Sequence, residues 1–142
     1  MKVVGLNGRE YNLNLSKYGV RKNDVRKRSK HHIRARKLIS ETYNSYRILE
    51  EVKLPGSTSA HKKSVLYLDF FIPNTRTAFE VHGRQHYEYV QFFHKTKAGF
   101  ILAKARDEDK MEWCELNNIK LIVLKYSGTD DEWISNFRAA CK

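Results

Sequence analysis

Apolar residues in this chain recur either in alternation or in short continuous runs, and turn residues punctuate them. That pattern predicts several short strands with helices between them. Residues 3–6 and 11–15 flank Asn7-Gly8-Arg9, and Asn-Gly is a tight-turn signal, so a small β-hairpin is expected first. Asn23 or Asp24 is placed to cap a helix running to about Tyr43. Its apolar positions, Val25, Ile33, Leu38 and Ile39, are sparse at first and denser later. The start of the helix should therefore face solvent or a partner, and its end the core. Three strands are predicted next, over 46–54, 65–72 and 76–82. Pro55-Gly56-Ser57-Thr58-Ser59 forms a loop after the first of them, and Pro73-Asn74 turns the second into the third. Residues 95–117 read as a long helix offering Ala98, Ile101, Leu102, Ala105, Trp113 and Leu116 to the core, ended by Asn117-Asn118. The nearly all-apolar run 119–125 predicts a strand in the buried centre of a sheet. Asp130 or Asp131 then caps a last helix with Trp133, Ile134 and Phe137. The order hairpin, helix, three strands, helix, strand, helix predicts an α/β fold, a mixed central sheet with helices on its faces.

Composition narrows the class. A length of 142 residues suits one domain with one core. The longest apolar run, Leu121-Ile122-Val123-Leu124, is far too short to span a bilayer. The start Met1-Lys2-Val3-Val4-Gly5 lacks the apolar region of a secretory signal, so a cytoplasmic location is expected. Cys114 and Cys141 have no metal-type spacing and read as reduced packing residues.

The net charge of +11 changes the picture more, because it is uneven. Residues 1–63 hold 16 Lys/Arg against 5 Asp/Glu, whereas residues 64–142 hold 11 against 11. Nine of the 16 fall between Arg21 and Lys37, where Asp24 is the one acid. A basic part joined to a neutral part points to a polyanion held by one and acted on by the other. The chain is thus expected to be a single domain. Residues 1–40 would form a basic hairpin and helix that hold the polyanion, and 41–142 the part that acts on it. Few large apolar residues accompany the charges, so insertion into a membrane surface is not expected. A solvated helix face is the plainer reading of the same run.

Asp69 sits inside the apolar run Val65-Leu66-Tyr67-Leu68-Asp69-Phe70-Phe71, and Glu80 stands between Phe79 and Val81. A carboxylate is costly to bury unless it is paired or binds a metal. The short turn at Pro73-Asn74 makes the two strands an antiparallel hairpin on which Asp69 and Glu80 converge. Side chains alternate along a strand, so His82 shares a face with Glu80. Converging carboxylates repel, and a hard divalent cation relieves the repulsion; Mg²⁺ is typically held by one or two carboxylates plus water and substrate phosphate. The alternative is an Asp–Arg or Glu–Lys pair that staples the hairpin.

Asp69 followed by Glu80-Val81-His82 resembles the core of the PD-(D/E)XK nucleases, with His82 where a lysine is usual. Phe79-Glu80-Val81-His82-Gly83-Arg84-Gln85-His86 narrows the resemblance to the very-short-patch-repair (Vsr)-like and phage homing-endonuclease branch. Arg106-Asp107-Glu108-Asp109-Lys110, leading through Leu116 into Ile119-Lys120-Leu121-Ile122-Val123, is similar to that branch's closing helix and strand. The resemblance covers roughly residues 41–126. It implies a restriction-endonuclease-like core, a prokaryotic or phage-infected setting, and hydrolysis of phosphodiester bonds in double-stranded DNA with Mg²⁺, for which Mn²⁺ would substitute. It implies Asp69 and Glu80 as metal ligands, the Val81 carbonyl as a third oxygen, His82 and His86 as acid/base residues, and Glu41 as the helix acid, for which Glu50 and Glu51 compete. A neutral imidazole acting as base would lose activity below roughly pH 6.

Arg26, Lys27, Arg28, Lys30, Arg34 and Lys37 are candidates for phosphate contacts, as are Lys62 and Lys63 before the site strand. Arg84 and Gln85 adjoin the triplet, and Lys110 can bring positive charge to it from the long helix. His31, His32, His61 and His94 read as surface or phosphate contacts, and Asp107 and Asp109 as salt-bridge partners. Two other functions stay open. One is a Holliday-junction resolvase of the same fold; the other is an inactive nucleic-acid-binding module. Either a monomer or a homodimer is compatible with the chain.

Overall fold

The computed structural model describes residues 1–18, 29–58, 65–84, 87–88 and 95–140. The chain starts with an antiparallel hairpin of β1 (Lys2–Val4) and β2 (Glu10–Asn12). Gly8 takes φ +81° in its turn, a conformation open to glycine at little cost. Helix α1 (Lys30–Thr42) leads to β3 (Leu49–Lys53), β4 (Tyr67–Ile72) and β5 (Thr77–His82). Helix α2 (Lys97–Leu116), β6 (Lys120–Lys125) and α3 (Asp130–Ala140) follow. The four later strands form one mixed sheet in the order β3-β4-β5-β6, antiparallel across the first two joins and parallel across the third. The α/β architecture expected from the chain's periodicity is the one observed. Pro73 opens the β4–β5 turn, and Arg76, at φ 48°, closes it. The parallel join needs a crossover, which α2 supplies.

Helices cover both faces of the sheet. On one face Leu49, Val52, Leu68, Phe71 and Ala78 pack with Trp113 and Cys114 of α2. On the other, Phe70, Ile72, Phe79 and Leu124 pack with Ala35 and Ile39 of α1 and Trp133 and Phe137 of α3. Each large side chain buried this way contributes about 1.5–3 kcal/mol. The hairpin belongs to the first core and does not stand apart as an appendage. Val3 and Leu13 are buried there, and Asn117 ties β1 to the end of α2. Its side chain accepts from the Val4 N–H (2.7 Å) and donates to the carbonyls of Val4 and Trp113 (2.9 Å each).

Several sequence expectations need correction. Helix α1 is capped by Ser29, whose hydroxyl accepts from the His32 N–H at 3.1 Å; Asn23, Asp24 and Val25 lie outside the described residues. Helix α3 is capped by Thr129, whose hydroxyl accepts from the Glu132 N–H and donates to the Glu132 carboxylate, where Asp130 or Asp131 was expected. Strand β6 is an edge strand of the sheet; its run is apolar because α2 and α3 cover both its faces. In α2, Ile101, Leu102 and Leu116 face solvent at 67%, 46% and 51% exposure. A 20-residue helix is about 30 Å long and a six-residue strand about 20 Å, so the start of α2 overhangs the sheet.

The basic helix α1 is also more structural than its charge suggests. Glu50 of β3 is fully buried and takes a forked pair of hydrogen bonds from Arg36 (2.8–3.2 Å) and a contact from His32 Nε2 at 2.7 Å. His32 also stacks on Phe70, so it is an interior residue and not a surface contact. Arg34, expected on phosphate, instead pairs with Asp130, donates to the Gly128 carbonyl and lies 3.7 Å over the Trp133 ring. Asn117→Ala should lower stability by about 2 kcal/mol in urea unfolding, because it leaves the Val4 N–H and two carbonyls without partners.

Candidate functional site

Strands β4 and β5 pair regularly from Ile72↔Thr77 to Phe70↔Phe79, and the ladder stops there. At the next step two side chains take over the ladder's hydrogen bonds. The Asp69 N–H donates to Glu80 Oε1 at 3.1 Å, and the Val81 N–H donates to Asp69 Oδ2 at 2.8 Å. The β3–β4 register lapses at the same level, where Glu51 takes φ 51°. The carboxyls of Asp69 and Glu80 therefore face each other where β4 and β5 part.

Lys110 closes the group. It lies three and four residues before Trp113 and Cys114, so it shares the buried stripe of α2. Its Nζ donates to Glu80 Oε2 at 3.0 Å. Glu80 is 2% exposed, and Asp69 is half-buried. Burial first, and then the charge of Asp69, push the Glu80 carboxyl up to about 8, against the pull of Lys110. Burial lowers Lys110, but the charges of Glu80 and Asp69 outweigh it and hold the ammonium above its ordinary range. Among the described residues two acids and one base thus meet here, and Glu80 holds its proton well above the ordinary carboxylate range. Burial, followed by the charge of Glu80, pushes the Cys114 thiol up to about 12, which leaves it a packing residue.

The donor set suits a hard cation. It comprises two carboxyls and the carbonyl of Val81; a strand residue directs both backbone groups to one edge, and Val81 points its N–H at Asp69. Among the described residues no third His, Cys, Asp or Glu completes a metal-binding group. Oxygen donors in this number could hold a hard cation whose remaining positions water fills, and they are not the nitrogen and sulfur donors of a zinc cage.

His82 ends β5, half-buried, and the ladder continues past it, its carbonyl accepting from the Tyr126 N–H at 2.8 Å. Its Nδ1 lies 3.3 Å from the Tyr87 hydroxyl. A five-residue separation across a turn carries no periodic signal, so the sequence alone does not announce this contact. Arg84 is exposed and paired with Glu88. Lys30 and Lys37 are exposed on α1. His86, Gln85, Arg26, Lys27, Arg28, Lys62 and Lys63 lie outside the described residues. Glu41 does not join the pair. It is exposed near the C-terminal end of α1, which leads to the start of β3, and Leu49 there pairs with Phe71, at the end of β4 away from Asp69. Helix α1 also covers the sheet face opposite α2. Glu50 is turned to α1 as well, so neither residue supplies a helix acid.

Comparison with known proteins finds relatives in three viruses. The chain is 36% identical over 93 residues to "Uncharacterized protein 094L" of Frog virus 3, covering 62% of this chain and 60% of that protein. It is 33% identical over 79 residues to "Uncharacterized protein 307L" of Invertebrate iridescent virus 6, covering 56% and 40%. It is 36% identical over 62 residues to "Uncharacterized protein 033L" of Invertebrate iridescent virus 3, covering 44% and 32%. The chain thus spans between about a third and three fifths of these relatives' lengths. No family model and no solved structure matches it. Among the described residues no helix is long and apolar enough to cross a membrane.

The raised Glu80 carboxyl gives a signed prediction. A carboxyl with a folded pKa near 8, against an ordinary 4.5, contributes stability that is full below about 4.5 and lost as pH rises through 8. Metal-free protein should therefore lose on the order of a few kcal/mol between pH 5 and 8.5. Glu80→Gln should flatten that slope in chemical unfolding at each pH.

Proposed function

We propose that this protein is a Mg²⁺-dependent endonuclease acting on double-stranded DNA, of the Vsr-like or homing type that its motifs resemble. The observation that carries the reading is the crossed pair Asp69–Glu80 with, among the described residues, one ammonium, that of Lys110, beside it. A hairpin staple needs one acid and one base, and Glu80 with Lys110 would suffice. The second carboxyl at the same point is unexplained by a staple and matches a cation holder. The mixed sheet, covered by helices on both faces and carrying the pair on adjoining strands, is compatible with the restriction-endonuclease-like core implied by the resemblance.

Asp69, Glu80 and the Val81 carbonyl would hold the cation. Bound there, Mg²⁺ supplies positive charge against the phosphate and makes nearby water a stronger acid. His82, at the exposed end of the same strand face, takes the proton from the attacking water. Tyr87 holds the imidazole in place through Nδ1. Lys110 supplies the ammonium that the motif lacks at position 82, and offsets charge building on the phosphate. The partner is DNA, with no membrane role.

Nicking of supercoiled plasmid with Mg²⁺ or Mn²⁺ tests the reading. Asp69→Ala should lose at least about 10²–10³-fold in rate, and Lys110→Met about 10²-fold, with the fold retained by circular dichroism. A wild type that binds DNA but leaves the plasmid intact with either metal would make the protein a binding module.

A further inference from the structure

Four basic side chains around the sheet are already committed to acids. Arg34 pairs with Asp130, Arg36 with Glu50, Arg84 with Glu88 and Lys110 with Glu80. Two lysines beside His82 differ. Lys104 of α2 and Lys125, the last residue of β6, reach the same Tyr87 ring, with Nζ at 5.2 and 4.6 Å from its centroid. Lys104 also lies 5.8 Å from the Phe100 ring. Among the described residues neither ammonium makes an ion pair. Lys125 is exposed and Lys104 half-exposed.

The position follows from the topology. Register His82↔Lys125 puts Lys125 beside the end of β5. Lys104 precedes Lys110 by six residues, about 9 Å along the helix, on the part of α2 that overhangs the sheet. Tyr126 packs near the same ring at 6.1 Å. The one described acid that Tyr87 feels is Asp107; burial first, and then that charge, raise its hydroxyl. An ammonium over an aromatic ring is held weakly and stays able to meet an anion. The ring therefore orders the two charges without neutralising them.

We propose that Lys104 and Lys125, gathered by Tyr87, form a phosphate-binding cradle that seats the backbone of duplex DNA next to His82. This rests on the nuclease reading for its substrate and extends it to a binding site on α2 and β6, elements that the sequence reading did not credit with phosphate contacts apart from Lys110. With its cations already facing the ring, Tyr87 acts as a post for the cradle and not as a platform for stacked bases.

The test is binding of a labelled duplex of defined sequence in EDTA, by anisotropy between 50 and 200 mM salt, so that no cleavage intervenes. Lys104→Ala/Lys125→Ala should reduce the slope of log K against log[salt] by about 1.8, or about 0.9 for each lost phosphate contact. Its loss of affinity across that salt range should then be about tenfold smaller than that of the wild type. Lys104→Gln/Lys125→Gln, which keeps the aliphatic stems, should match it, and Lys104→Arg/Lys125→Arg should keep the full slope. Lys120→Ala/Arg138→Ala removes the same charge toward the other end of the sheet and should leave the slope unchanged. An unchanged slope in the Ala and Gln pairs, an equal loss in the remote pair, or a wild type that does not bind duplex would each overturn the cradle. A wild type that binds through the cradle yet never nicks plasmid sinks the nuclease reading alone. An active nuclease whose Ala pair keeps the full slope sinks the cradle alone.

Discussion

The meeting of the Asp69 and Glu80 carboxyls with the Lys110 ammonium, at the point where β4 and β5 part, is the constraint on which the rest of this molecule depends. The Pro73–Arg76 turn sets the register that brings Asp69 opposite Glu80. The side chains then replace the backbone ladder at the step where it fails. Helix α2 must dock for Lys110 to arrive. Its anchors are Trp113, whose indole N–H reaches the Pro55 carbonyl at 2.8 Å, and Asn117, which joins the helix to the N-terminal hairpin. The first core is thus the mounting of the site.

The opposite face of the sheet offers an internal comparison. Glu50 is as buried as Glu80, but Arg36 grips it with two nitrogens and His32 adds a third contact. That acid is fully answered and serves to dock α1. At Asp69 and Glu80 the supply is reversed among the described residues, with two acids to one base, and Glu80 holds its proton to about 8. A proton with a pKa near 8 is readily exchanged for a divalent cation near neutrality. The same fold therefore contains a satisfied buried acid and an unsatisfied pair, and the contrast separates structural from chemical use of carboxylates.

Much of this was legible in the sequence. The period-2 strands, the Pro73-Asn74 turn and the Asn117-Asn118 stop gave the element order, and two acids within apolar strands marked the pair. What escaped were properties of tertiary packing. Arg34 and Arg36 looked like part of a solvated or DNA-facing run, yet their partners Asp130 and Glu50 are 96 and 14 residues away. Ile101 and Leu102 fit a helical stripe, but the sheet is too short to cover the start of α2. Glu41 was chosen for its place near the end of the basic helix, and only the docking of α1 on the far face excludes it. Tyr87 carried no signal, because its meeting with His82 depends on how the chain returns after β5.

Calorimetric titration of Mn²⁺ into the metal-free protein at pH 7, in two buffers of different ionisation enthalpy, tests the central claim most directly. The account predicts one Mn²⁺ bound with the release of close to one proton, and loss of both binding and proton release in Asp69→Ala. Absence of Mn²⁺ binding, or binding that releases no proton and persists in Asp69→Ala, would contradict it.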